Sequence, residues 1–184
     1  MANNSKDKAK KVDTEVDTES VTNTVSEDIE DKKPVTVKDI DPTQYVVVRN
    51  GFHGKLVYKS QRTGEVFVWD GFGSEQEMEL RELRNVKNSH KKFFINNWFM
   101  FDESWIPDYL GVKQFYKNAL DIDHFDDIFS LSVNKLKEKI TALSNGQKKT
   151  VAYRAKELIA DGVIDSRKVI AVLEETLEVD LIEK

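Results

Sequence analysis

Tyr45-Val46-Val47-Val48-Arg49, Lys55-Leu56-Val57-Tyr58-Lys59, Glu65-Val66-Phe67-Val68-Trp69 and, further on, Asn97-Trp98-Phe99-Met100-Phe101 are the runs that decide the fold. Each is short and rich in β-branched and aromatic residues, and turn residues separate the first three. Asn50-Gly51-Phe52-His53-Gly54 predicts a first hairpin turn, because Asn and Gly both tolerate positive φ. Ser60-Gln61-Arg62-Thr63-Gly64 predicts a second, with glycine where a left-handed residue closes the loop. Val66 and Val68 face one way, Phe67 and Trp69 the other, so the third strand is expected to be covered on both faces. The expectation is a small antiparallel β-meander or SH3-like barrel over residues 44–101.

Outward from this stretch the periodicity changes. Leu80, Leu83, Val86 and Lys87 have helical spacing and predict a short helix laid on the sheet. From Ser104, short helices are expected around Trp105, Ile106, Tyr109 and Leu110, broken near Pro107 and Gly111. Ser132 stands where it can cap a helix with the stripe Val133, Leu136, Ile140 and Leu143. Ser144-Asn145-Gly146-Gln147 has the form of a capping box opening a second helix, which stops at Asp161-Gly162. Asp165 can cap a third, carrying Val169, Ile170, Val172, Leu173 and Leu177. Residues 102–184 are therefore read as a helical domain ending in a small bundle, and the fold class as α+β.

Residues 1–43 are different. No aromatic occurs before Tyr45, and Lys, Asp, Glu, Ser, Thr and Asn dominate. Such a segment buries too little apolar surface to offset its ordering entropy, so it reads as a disordered tail. The sharper reading is an arm that orders on a neighbouring subunit, anchored by Val35, Val37 and Ile40.

Composition narrows the functions available. The net charge is −5, but it is unevenly spread. Residues 1–43 carry 7 Lys/Arg against 11 Asp/Glu, residues 44–101 carry 9 against 6, and residues 102–184 carry 12 against 16. Any polyanion site would lie in the net-positive middle. The absence of cysteine excludes disulfides, thiolate metal sites and a cysteine nucleophile. The N-terminus shows no signal-peptide pattern and no run is long enough to span a bilayer, so a cytoplasmic protein is the expectation.

Chemistry-bearing motifs are weak. Asp70-Gly71-Phe72-Gly73-Ser74 lacks the ending of a P-loop and the spacing of a dinucleotide loop, and reads as a turn. Asp121-Ile122-Asp123-His124-Phe125-Asp126-Asp127 lacks the glycine and distal glutamate of a calcium loop. Acidic residues favoured by a helix dipole explain it more simply. The three histidines have no metal-ligand spacing and no serine sits in a nucleophile elbow. A non-enzymatic protein without cofactor or metal is expected.

The run Gly54-Lys55-Leu56-Val57-Tyr58-Lys59-Ser60-Gln61-Arg62-Thr63-Gly64-Glu65-Val66-Phe67-Val68-Trp69 is followed by Phe72-Gly73-Ser74-Glu75-Gln76-Glu77-Met78. With Lys91-Lys92-Phe93-Phe94-Ile95-Asn96-Asn97-Trp98 and the helix start at Asp165-Ser166, it resembles a small protein found among the structural genes of tailed bacteriophages. The resemblance covers about residues 44–180. It implies a virion or assembly role at the capsid, neck or tail, in a particle built in the host cytoplasm.

Aromatic residues exceed what one small barrel can enclose, which points to contacts with other protein subunits in a homo- or hetero-oligomeric assembly. Phe52, Phe72, Phe93, Phe94, Trp98 and Trp105 are the candidate contacts. The alternative is a nucleic-acid-binding module, with Arg49, Lys55, Lys59, Lys87, Lys91 and Lys92 on the phosphate backbone.

Overall fold

The structure is a computed structural model and describes residues 40–182. The expectations for the N-terminal arm, Val35 and Val37 included, lie outside the described residues. Strands and helices are both present and the sheets are antiparallel, as expected of an α+β chain.

Strand β1 (Tyr45–Asn50) is the centre of a three-stranded sheet. It pairs with β4 (Glu75–Glu79) along its length and with β5 (Phe99–Met100) at its end. Alternation buries Val46, Val48 and Asn50. Strands β2 (Leu56–Lys59) and β3 (Val66–Trp69) form a separate hairpin. Its turn is the one predicted at Ser60–Gly64: Ser60 N–H donates to Glu65 O, and Gly64 takes φ 77°.

The first predicted hairpin does not form, because β1 pairs with β4 and β5 and not with β2. Asn50 has been recruited as a buried clamp. Its Nδ2 donates to Gly54 O and Gly71 O, both at 2.8 Å, and its Oδ1 accepts from Phe52 N–H. Gly51 N–H donates to Trp98 O, and a Cβ on Gly51 would lie 2.1 Å from Asn97 O. These contacts draw the chain out of the sheet where a local turn would have folded it back. The third strand is also less enclosed than expected. Phe67 and Trp69 are buried, whereas Val66 on the other face is 53% exposed.

Helix α1 (Leu80–Ser89) buries Leu80, Leu83 and Val86 as its spacing predicts, and it also buries Glu82. That carboxylate accepts from Tyr58 Oη at 2.7 Å, Arg62 Nε at 3.1 Å and Asn85 Nδ2 at 3.3 Å. Burial pushes its pKa up, but the neighbouring Ser60 hydroxyl and the donors Tyr58, Asn85 and Arg62 pull it further down, leaving it below the usual glutamate value. A carboxyl with a depressed pKa in the folded state contributes stability above its unfolded pKa and loses it as pH falls through the folded one. Glu82→Gln is therefore expected to cost about 1–3 kcal/mol at pH 7. Urea unfolding of wild type and variant should show that gap narrowing below about pH 4, where glutamates protonate. A gap independent of pH would refute the ionised network.

Helices α2 (Lys92–Ile95) and α3 (Trp105–Tyr109) complete the first core, which gathers Trp69, Phe94, Phe99, Leu83 and Ile106 around Val48. A second core runs from Leu120 to Leu181. It is built by a 3-10 helix (Phe125–Ser130), α4 (Val133–Thr141), α5 (Asn145–Ala160) and α6 (Arg167–Leu177). Helix α6 lies against both α4 and α5. Leu136, Ile140 and Leu143 are buried as predicted. Two caps differ from expectation. The N-cap of α6 is Ser166 and not Asp165. At α5, Ser144 Oγ accepts from Gln147 N–H, but the Gln147 side chain does not reach back. It pairs instead with both polar groups of the Leu120 backbone, at 3.0 and 3.2 Å. That exchange ties the first turn of α5 to the connection between the two cores.

Candidate protein-binding clefts

The six predicted contact residues divide by burial. Phe94 is fully buried and Phe93 nearly so, because α2 turns both rings inward onto Phe99, with centroids 5.9 and 4.7 Å away. Within this chain they offer no surface to a partner, which corrects the expectation for these two. Phe52 is half-buried between His53 and Trp98. Trp98 and Trp105 are partly buried against the first core, and Trp105 meets Tyr109 edge-on. Phe72, 36% exposed, is the member of the set that faces solvent.

Two of the predicted cations, Arg49 and Lys87, are engaged within the chain and partly buried. Arg49 is 13% exposed and lies among three carboxylates, Asp123 at 2.7 Å, Asp102 at 3.1 Å and Glu75 at 3.5 Å. Its hydrogen bonds to Asp123 raise its pKa still further, against the opposing effect of burial. Lys87 Nζ donates to Leu110 O, Lys55 pairs with Asp70, and Lys91 stands over the Phe115 ring. Lys55, Lys59, Lys91 and Lys92 are all exposed.

Sequence reasoning missed a cleft of about 340 Å³ where the two cores meet. Loops after β1 and β3 bring His53 and Phe72 to it. The connection ahead of α4 brings Asp123, Phe125 and Asp126, and α5 contributes Thr150, Tyr153, Arg154 and Glu157. These four recur at intervals of three and four residues, so they share one helix face. The floor is tightly fixed. Thr150 Oγ1 donates to Gly51 O at 3.1 Å, and Phe125 meets Phe72 edge-on at 4.8 Å.

His53 is stacked parallel on Tyr153, with centroids 3.5 Å apart, and tilted against Phe52. Burial, assisted by Lys149, holds its pKa below the usual histidine value, with Glu157 opposing. Its Nδ1 is buried without a hydrogen-bond partner. Arg154 forks onto Asp126 through Nε (2.9 Å) and Nη2 (2.6 Å), and its Nη1 donates to Glu157 at 3.0 Å. Of the acidic run read earlier as a helix-start cluster, Asp123 and Asp126 thus serve as partners for arginines.

A second groove, of about 820 Å³, is mostly apolar and lined by Met100, Phe101, Pro107, Tyr116 and Leu120 among others. A third concavity lies beside Tyr45 and Val66 on the outer face of the strands. Among the described residues no group of three or more His, Cys, Asp or Glu could hold a metal ion. Nor is any described helix long and apolar enough to cross a membrane. Comparison with protein-family models, with curated proteins and with solved structures finds no match.

Proposed function

We propose that this protein is a non-enzymatic subunit of a phage-type virion or of its assembly pathway, and that it binds other protein subunits at the capsid, neck or tail. The observation supporting this reading most directly is how its surface is divided. Apolar and aromatic side chains line separate concavities, at the seam around Phe72 and Tyr153 and in the groove of Met100, Phe101, Pro107 and Tyr116. Meanwhile Arg49, the most arginine-like anchor for a phosphate backbone, is enclosed by carboxylates. A polyanion would have to displace those partners, whereas a protein partner would not. For the β-rich half we retain an SH3-like closure as a fold-level proposal, supported by the bond from Gln76 Nε2 to Val68 O that bridges β4 and β3.

Quantitative mass spectrometry of purified particles tests the assignment. The expected result is a fixed stoichiometry relative to the portal protein: a ratio near one places the protein at the neck, and a ratio near that of the major capsid protein places it in the shell. Absence from particles and from their assembly intermediates would overturn the reading.

A further inference from the structure

We infer that the cleft between the two cores receives a basic side chain, arginine or lysine, from a partner protein. This rests on the subunit-binding reading and gives it a chemistry.

Aromatic walls are the first support. Tyr153 is 54% exposed and Phe72 is 36% exposed, so two rings stand at the cleft with faces or edges open to a ligand. A cation beside such rings is held by their quadrupoles. Charge is the second. The lining holds three carboxylates, Asp123, Asp126 and Glu157, against the guanidinium of Arg154 and, behind Asp123, that of Arg49, which leaves one carboxylate charge in excess. Their side chains are 62%, 49% and 64% exposed, and Glu157 uses only Oε2 on Arg154. Asp123 and Asp126 each have both oxygens on an arginine, so Glu157 Oε1 is the carboxylate oxygen left free for a ligand. Preorganisation is the third. Arg154 fixes Asp126 and Glu157, and Arg49 fixes Asp123, so the acceptors stand in place before anything binds.

The same geometry argues against other occupants. An anion would meet three carboxylates, while the Arg154 donors are already engaged on two of them. The volume of about 340 Å³ lies near the lower end of the roughly 300–1,000 Å³ usual for ligand pockets. One long side chain suits it better than a folded element.

The test uses the full-length isolated chain, with N-acetyl-arginine amide as probe and N-acetyl-citrulline amide as its uncharged isostere. Aromatic NMR signals of Tyr153 and Phe72 are followed during titration. The expected result is a saturable shift with the arginine probe at millimolar concentration and none with citrulline. Tyr153→Ala should weaken binding roughly 2- to 30-fold, the range of a cation–π contact, and Glu157→Gln should weaken it several-fold; both positions are exposed, so folding is expected to persist. Equal shifts with both probes, no saturable shift with arginine, or an unchanged affinity in both variants would each overturn the inference. Because the titration needs no particle, it can fail while the protein is still found in virions, and can succeed if it is not.

Discussion

Gly146→Ala is expected to destabilise the protein by about 2–3 kcal/mol, a net loss at a helical position where alanine would ordinarily be favoured. Helix propensity alone predicts a gain of up to about 1 kcal/mol in a helix interior, and less at Gly146, the second residue of α5. Packing has the opposite sign and wins. A Cβ on Gly146 would lie 2.1 Å from Asn96 O, 2.6 Å from Asn96 Cβ and 2.9 Å from Asn96 C. Two of those three atoms are backbone, so no rotamer change relieves the overlap.

Neither side of that contact can readily withdraw. Asn96 is followed by Asn97, held at φ 54° with its Nδ2 donating to Phe115 O. Opposite it, the first turn of α5 is fastened by the Gln147 bonds to Leu120 and by Thr150 to Gly51. Overpacking of fixed surfaces usually costs about 1–3 kcal/mol and occasionally more. In thermal unfolding, this should lower Tm by roughly 4–12 °C for a chain of this size. Gly71→Ala is the control, since no atom lies within 4 Å of its Cβ position. It should change stability by no more than about 0.5 kcal/mol. If the two variants unfolded alike, the close approach of α5 to Asn96 would be refuted.

What the sequence disclosed, and what it hid, follows from the range of each interaction. The β2–β3 turn, the buried face of α1 and the stripe of α4 are local patterns of period two or 3.6, and they are where spacing places them. The pairing of β1 with β4 and β5 is not local. Asn50-Gly51 is a strong turn signal, yet its side chain and its missing Cβ serve contacts with Gly71 and Asn97, far along the chain. Gln147 likewise carries a local capping signature but spends its amide on Leu120. Phe93 and Phe94 stand beside lysines in sequence, and only the direction of α2 shows that their rings turn inward. The cleft was least legible. Tyr153, Arg154 and Glu157 carry no motif of their own, and their significance depends on His53, about a hundred residues earlier, arriving beneath Tyr153.

Trp69→Ala should have the largest single effect, a loss of about 3–5 kcal/mol, the cost usual for removing a buried aromatic side chain. Trp69 has no exposed surface, and its ring lies 5.1 Å from Phe99 of the three-stranded sheet. Its Nε1 donates to Val48 O at 2.8 Å, joining the β2–β3 hairpin to the centre of β1. No backbone ladder connects those two sheets, so this side chain does what strand pairing does elsewhere. Against a total stability of about 5–15 kcal/mol, the variant would be marginal or unfolded at 37 °C. Trp69→Phe separates the contributions. It keeps most of the ring and removes the donor, and should cost about 1–2 kcal/mol from the hydrogen bond, with a further share from lost volume. Urea unfolding followed by circular dichroism checks both variants without relying on tryptophan fluorescence. Trp98→Ala supplies the contrast, because Trp98 is only partly buried and its Nε1 has no partner to lose. A Trp98→Ala loss as large as that of Trp69→Ala would mean that the hairpin is not held through the indole of Trp69, and that the first core is centred nearer Phe52 and Phe93.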